Sequence, residues 1–268
     1  MDFTSIILAV TIMAVLGLAI GLFLGIAGEK LKVEVDEKEV AIRECLPGNN
    51  CGGCGYAGCD GLAKAIATGE APVTGCPVAG TESANKIAGI LGVEAGVVEK
   101  KVAFVKCAGT CDKTIIKYNY FGINDCRKIE LIPGGGPKGC DKGCLGFGSC
   151  MSVCSNDAIK IVDGVAQVDG ELCSGCGQCV QVCPKNIIEL VPYESKYRVS
   201  CSSTAKGKDV KAVCQAGCIG CTLCTKVCES GAITVENNLA RIDYDKCTGC
   251  GKCVEKCPVK VIKLFKIV

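Results

Sequence analysis

Three kinds of hydrophobic patterning follow one another along the chain. Residues 3–28 carry no charged side chain and are mostly Ile, Leu, Val, Ala and Gly. About 20 such residues span a bilayer, so this stretch predicts a transmembrane helix and segment 1–28 a membrane anchor. A secretory signal would carry an early positive charge and a shorter apolar run, whereas Asp2 stands in that place here. Residues 29–44 are mixed-charge and read as a linker. Helical spacing returns over Asp60–Thr68, ended by Gly69, and again over about Thr81–Leu91. Further on the period shortens to two. Ala158–Val162, Asp163-Gly164 and Val165–Val168 spell a hairpin, as do Ala232–Val235, Asn237-Asn238 and Leu239–Ile242. Val259–Leu264 reads as one more strand. The pattern therefore predicts an α+β protein: an N-terminal membrane helix, a small helical domain and two short-stranded units. Those units have little apolar core, so something else must hold them together.

The cysteines supply it. There are 26 in 268 residues, a density that in a short secreted chain would mean disulfides. Here they fall in tight chelating spacings instead. Cys218, Cys221, Cys224 and Cys228 form one C-x2-C-x2-C-x3-C run, and Cys247, Cys250, Cys253 and Cys257 with Pro258 form another. This is the run that wraps thiolates around a 4Fe–4S cube, and in two-cluster ferredoxins its fourth cysteine serves the other cube. The expected sets are Cys218, Cys221, Cys224 with Cys257, and Cys247, Cys250, Cys253 with Cys228. The block repeats upstream as Cys140, Cys144, Cys150, Cys154 and then Cys173, Cys176, Cys179, Cys183-Pro184, its first run stretched to C-x3-C-x5-C-x3-C. By the same rule Cys140, Cys144, Cys150 and Cys183 form one set, and Cys173, Cys176, Cys179 and Cys154 the other. The ferredoxin-like domains are placed at 140–192 and 218–268, with cysteine-containing connectors at 99–139 and 193–217.

An earlier domain, 45–98, carries Cys51, Cys54, Cys59 and Cys76 in a glycine-rich C-x2-C-x4-C-x16-C pattern. Four cysteines suit zinc as well as a cluster, but the downstream ferredoxin runs favour iron and sulfide. Gly53–Gly58 matches the dinucleotide fingerprint G-x-G-x-x-G, yet no apolar strand leads into it and a cysteine sits inside it. Five 4Fe–4S clusters follow from these 20 cysteines. Six cysteines remain: 45, 107, 111, 126, 201 and 214. Val105-Lys106-Cys107-Ala108-Gly109-Thr110 parallels Val199-Ser200-Cys201-Ser202-Ser203-Thr204, each ahead of a ferredoxin unit and each followed by a further cysteine, Cys126 or Cys214. A sixth cluster shared between the repeats on Cys107, Cys126, Cys201 and Cys214 is the expectation, with Cys45 and Cys111 as bystanders. The competing reading is that all six are small buried apolar side chains.

Histidine and tryptophan are both absent, which removes histidine-based acid–base and metal-hydrolytic chemistry. The net charge of +2 hides an asymmetry: from Lys185 onward 14 basic residues face 8 acidic ones. A segment with Lys196, Arg198, Lys206, Lys208 and Lys211 concentrates that charge and reads either as a solvated loop or as a docking surface for an acidic redox partner. Gly17, Gly21 and Gly25 lie four apart on one face of the membrane helix, suited to close packing against another such helix. Lys30 and Lys32 after the span favour a cytoplasmic C-terminal side.

With these residues in view, the chain resembles the B subunit of the Rnf complex, the membrane-bound ferredoxin:NAD oxidoreductase that moves Na⁺ or H⁺. The resemblance rests on the N-terminal helix, on Leu46-Pro47-Gly48-Asn49-Asn50-Cys51-Gly52-Gly53-Cys54-Gly55-Tyr56-Ala57-Gly58-Cys59, on Cys76 and on the ferredoxin repeats, two pairs as in the clostridial type. It implies a single-pass subunit of the cell membrane with cytoplasmic cluster domains. It implies electrons taken from reduced ferredoxin and passed to the flavin- and NAD-binding and membrane subunits, with no catalytic residues on this chain and no nucleic-acid partner. The C-x2-C-x4-C-x16-C motif is also similar to that of corrinoid iron–sulfur proteins, whose large corrinoid-binding barrel this chain has no room for. A structural or sensor role for the clusters is the remaining alternative.

Overall fold

The computed structural model describes residues 3–30, 36–96 and 99–265. Asp2, which argued against a secretory signal, and Lys32, one of the lysines that orient the span, lie outside them, as do residues 97–98 at the expected domain boundary and 266–268 at the C-terminus.

Helix α1 (Phe3–Lys30) is long and apolar enough to cross a membrane over Val10–Lys30. Its described apolar side chains stand exposed, Leu18 and Phe23 among them. Apolar surface of that extent needs lipid or another membrane helix to cover it. Among the described residues nothing beyond the helix's own backbone lies within 4 Å of the Cβ positions at Gly17, Gly21 and Gly25.

Three helices follow: α2 (Glu37–Cys45), α3 (Cys59–Ala67) and α4 (Gly80–Leu91). They close around Ile42, Leu62, Ile66 and Ile87, each almost wholly buried. The linker expected over 29–44 is therefore a helix in its second half. Asp36 caps it, its carboxylate accepting from the Lys38 N–H at 2.9 Å, and Ile42 and Leu46 supply the apolar side that packs on α3 and α4. Only two apolar anchors in a charged stretch made that helix hard to see.

The rest of the chain is two copies of one unit. In the first, β2 (Ile159–Val162) and β3 (Val165–Val168) form a hairpin, and β1 (Lys101–Val105) pairs antiparallel with β4 (Ile188–Pro192). Short helices α5 (Cys126–Glu130), α6 (Ser149–Ser152) and α7 (Gln178–Val182) carry cysteines between them. The second copy has β5 (Tyr197–Val199) paired with β8 (Ile262–Leu264), the hairpin β6 (Ile233–Glu236) and β7 (Leu239–Ile242), and helices α8 (Gly207–Val213), α9 (Leu223–Lys226) and α10 (Lys252–Lys256). Both hairpins turn on residues with positive φ, Asp163 at 47° with Gly164 at 75°, and Asn237 at 48° with Asn238 at 62°, as a type I′ turn requires.

Strands β1 and β5 lie in the stretches read as connectors. Each closes its own unit by covering the edge of the strand that follows the Cys-Pro, leaving Val105 opposite Ile188 and Val199 opposite Ile262. An open edge there would leave a row of backbone donors and acceptors unpaired. The cysteines make up much of each small core. Cys144, Cys150 and Cys179 pack with Ile159, Val165 and Ile188, and Cys218, Cys224 and Cys253 with Ile233 and Ile262.

The two units share a seam. Ile115 N–H and Thr114 Oγ1 both donate to the Val213 carbonyl at 3.0 Å, and Gln215 N–H returns a bond to Lys113 O at 2.8 Å. Arg198 is wholly buried there, its guanidinium 3.7 Å from the centre of the Phe265 ring and its Nη2 donating to Pro192 O at 3.1 Å. Burial lowers its pKa to about 10, which still leaves it charged at neutral pH. Expected among the docking charges, Arg198 instead pins the seam.

Candidate iron–sulfur sites

Around the first motif, Cys51, Cys54 and Cys59 sit on the loop leading into α3, with Cys76 ahead of α4. Asn50 shapes that loop by accepting the Cys59 N–H on its Oδ1 at 2.8 Å. Cys54 and Cys59 lie close enough to raise the pKa of Cys76, on top of its burial. Gly53 rests against the first ferredoxin unit: a Cβ there would lie 2.2 Å from the Cys176 carbonyl oxygen. Gln178 Nε2 donates to Cys51 O at 3.1 Å across the same junction. The first motif thus docks directly on the loop of Cys173, Cys176 and Cys179.

That loop and Cys154 line a single cavity that brings those four cysteines together. A second cavity is lined by Cys144, Cys150, Cys183 and Cys126. A third is lined by Cys107, Cys201, Cys214 and Cys140. Cys126 and Cys140 have therefore exchanged places relative to the sequence expectation. Helix α5 explains the first half of the exchange. Asp125 caps it and accepts from Ser149 Oγ at 2.8 Å, while that same oxygen accepts the Cys126 N–H at 2.7 Å. Ser149 precedes Cys150, so the pair delivers Cys126 to its neighbour. Arg127 and Ser149 hold the Asp125 carboxyl down to about 2, which keeps the cap charged.

Register explains the second half. Counting back from Cys154 and Cys228, Cys150 matches Cys224, Cys144 matches Cys218 and Cys140 matches Cys214, all at an offset of 74 residues. The position matching Cys221 is Phe147. Cys107 matches Cys201 at an offset of 94, so the first copy carries 20 extra residues, and Cys126 lies within them. Hydrogen bonds repeat with this register: Cys144 N–H points at Cys107 Sγ and Cys218 N–H at Cys201 Sγ, both at 3.3 Å. Aligning from the fourth cysteine backward would have found the exchange; counting forward from Cys140 hid it.

In the second unit Cys218, Cys221 and Cys257 crowd Cys224, and Cys247 and Cys250 crowd Cys253, each raising its neighbour's pKa beyond the effect of burial. Cys228 follows α9 as Cys154 follows α6. Burial, with neighbouring thiolates behind it, drives Cys150 and Cys179 to about 12 and Cys140 and Cys144 to about 11. Four such thiols cannot ionise together without positive charge among them. An iron–sulfur core supplies that charge, and thiolates are the ligands it takes. Among the described residues no three Cys, Asp or Glu side chains converge closely enough for one metal ion. Zinc needs all its sulfurs about 2.3 Å from one point, whereas a four-iron cube holds its thiolates further apart. Cys45 packs at the edge of the helical domain core and Cys111 is exposed, both outside the cavities described.

Fold and sites define a multi-cluster electron carrier of the bacterial ferredoxin type, joined to a membrane-length helix. Known families agree. An Fe-S cluster family matches residues 46–78, the 4Fe-4S binding domain residues 166–189, and the 4Fe-4S dicluster domain residues 211–264. The stretched run 140–154 lies outside all three matches. Similarity extends over nearly the whole chain to the B subunit of the Na(+)-translocating ferredoxin:NAD(+) oxidoreductase complex of Acetobacterium woodii, 48% identical over 96% of this chain and 78% of the relative. The B subunit of the ion-translocating oxidoreductase complex of Methanosarcina acetivorans is 46% identical over 96% and 97%. Its counterpart in the proton-translocating ferredoxin:NAD(+) oxidoreductase complex of Clostridium ljungdahlii is 39% identical over 97% and 92%. The chain belongs to the family of B subunits of ion-translocating ferredoxin:NAD oxidoreductase (Rnf) complexes and is an electron-transfer subunit.

Proposed function

We propose that this subunit takes electrons from a reduced soluble ferredoxin and relays them through six 4Fe–4S sites toward the membrane and flavin- or NAD-binding subunits of its complex. The juxtaposition of Cys107, Cys140, Cys201 and Cys214 at the seam carries this reading, because it joins what would otherwise be two separate ferredoxins. The remaining ligand sets are Cys51, Cys54, Cys59, Cys76; Cys154, Cys173, Cys176, Cys179; Cys126, Cys144, Cys150, Cys183; Cys218, Cys221, Cys224, Cys257; and Cys228, Cys247, Cys250, Cys253. A four-iron cube bound at each would accept and release one electron.

Contacts within the chain order the sets. The first motif touches the Cys176 loop through Gly53. Cys179 and Cys150 lie in one core, Cys144 N–H reaches Cys107 Sγ, and Cys218 N–H reaches Cys201 Sγ. The row thus runs from the domain that follows the membrane helix in sequence to the C-terminal unit, where Cys221 and Cys250 are exposed. Lys30 closes the last turn of α1 and supports a cytoplasmic position for the row.

The exposed cysteines support a ferredoxin-facing end in the basic second unit. Lys206, Lys208 and Lys211 are exposed on and beside α8. Replacing all three by Glu should slow reduction by an acidic ferredoxin at low ionic strength. The deficit should shrink as salt rises and the screening length falls to about 8 Å at 0.15 M. Stopped-flow reduction across a salt series reads both effects. Equal rates at low salt would return these lysines to ordinary solvated charge. Anaerobic iron and sulfide analysis tests the six sites themselves, with about 24 irons per chain expected and about 20 if the seam set holds none.

A further inference from the structure

Among the described residues Lys138 is the lysine whose whole residue is buried, 5% exposed between the two ferredoxin units. Its Nζ donates to Gly109 O at 2.9 Å and to Gly164 O at 2.6 Å, and among the described residues no carboxylate pairs with it. The nearby lysines differ: Lys185 reaches Glu130 at 3.3 Å and Lys117 reaches Asp141 at 3.9 Å. An unpaired ammonium taken out of water costs several kcal/mol unless an anion is close. Two carbonyl dipoles meet part of that cost, so a counter-charge should stand nearby.

Its two anchors show where. A Cβ at Gly109 would lie 3.3 Å from Cys214 Sγ and 3.7 Å from Cys107 Sγ, so the first carbonyl belongs to the wall of the seam set. Lys138 itself lines that cavity with all four of its cysteines. The second carbonyl, Gly164 O, lies 2.4 Å from the Cβ position of Gly146, which sits between Cys144 and Cys150. One ammonium is therefore held between the seam set and the set of Cys126, Cys144, Cys150 and Cys183. We infer that Lys138 is the shared counter-ion of these two sites and holds both their reduction potentials up. The inference rests on the six-site reading above.

The physical reason is Coulombic. Four thiolates around a four-iron core leave the site anionic, and reduction adds one more negative charge. A fixed cation inside low-dielectric protein favours the more negative state, and net charge is one of the factors that set cluster potentials. The duplicated architecture supplies an internal comparison. At the offset of 74 residues the second unit has Ala212, exposed, where the first has Lys138. The unit thus folds without this lysine, and the cation is confined to the middle of the row. Two central potentials raised together would keep an electron crossing the seam from meeting an uphill step.

EPR-monitored redox titration of the anaerobically purified full chain tests this. Cys140→Ser and Cys126→Ser identify the two signals by their loss. In Lys138→Met, iron content should match the wild type while both midpoints fall and those of the second unit's two sites stay put. Lys138→Arg, which keeps the charge, should titrate close to wild type. If Lys138→Met sheds iron, Lys138→Gln, neutral but still a donor, provides the same comparison. Unmoved midpoints at full iron content would overturn the inference. So would iron loss in the Met, Gln and Arg variants alike, which would make the residue a structural pin. Should the wild type show no seam signal, the six-site reading fails, and the remaining Cys126-dependent midpoint still decides the role of Lys138.

Discussion

Cys140→Ser should remove about four irons from the anaerobically purified chain and leave the other five sites loaded. Combining it with Cys201→Ser and Cys214→Ser should remove no more, because all three changes strike one site. Adding Cys126→Ser to the Cys201/Cys214 pair should instead remove about eight irons, since it strikes a second site. The forward-counted ligand sets predict the reverse pattern, with Cys126 grouped at the seam and Cys140 with Cys144 and Cys150. Geometry favours the first pattern. Cys126 is tied through Ser149 Oγ to the residue before Cys150, and Cys140 lines the cavity of Cys107, Cys201 and Cys214. The double and triple variants also report on the relay. With the seam site gone, ferredoxin should still reduce the second unit while the first unit and the 51–76 motif stay oxidised on the same timescale. Full iron content in Cys201→Ser/Cys214→Ser would show that the seam holds no cluster.

Gly53→Val should leave the iron count intact and slow reduction of the first motif's cluster relative to all others. Gly53 has no φ requirement of its own; its constraint is contact. Its Cβ position is 2.2 Å from the Cys176 carbonyl oxygen and 3.1 Å from the carbonyl carbon, backbone atoms that cannot swing aside. Inserting side-chain bulk into a packed contact costs about 1–3 kcal/mol, which the small helical domain can relieve by moving off the ferredoxin unit. That cost converts to roughly a tenfold to hundredfold loss of the docked population, and reduction of the first motif should fall with it. Gln178→Ala removes only the bond to Cys51 O, worth about 0.5–1.5 kcal/mol, and should have a milder effect in the same direction. Rapid-freeze EPR after mixing with reduced ferredoxin distinguishes the sites in time. A variant whose first cluster is reduced as fast as the wild type's would show that this contact is not the route.

Much of this protein is written in local spacing. A C-x2-C-x2-C-x3-C run is a chelating loop because its thiols are near one another along the chain before anything folds. The hairpins at Asp163-Gly164 and Asn237-Asn238 are local for the same reason: the turn residues tolerate positive φ and the flanking alternation sets the register. The membrane-length helix needs only an uncharged stretch. Duplication too was legible, including the pairing of Cys107 with Cys201, because both copies keep Val, Cys and Thr at matching places ahead of the cluster runs.

What the tertiary structure alone decided is long-range. Strands β1 and β5 are short apolar stretches whose partners lie far along the chain: Ile188 is 83 residues beyond Val105, and Ile262 is 63 beyond Val199. Helix α2 exists because Ile42 finds a buried place against α3 and α4, which a charged nine-residue segment does not announce. Gly53 is one glycine of a glycine-rich motif in the sequence and a contact surface in the fold. The exchange of Cys126 and Cys140 is the sharpest case. Phe147 stands where the second copy has Cys221, and Cys126, from a 20-residue insertion, lines the cavity of Cys144, Cys150 and Cys183, while Cys140 lines the seam cavity. Spacing identifies thiolates that can chelate, but a ligand delivered from another loop depends on where Asp125 and Ser149 hold that loop, and only packing in three dimensions sets that.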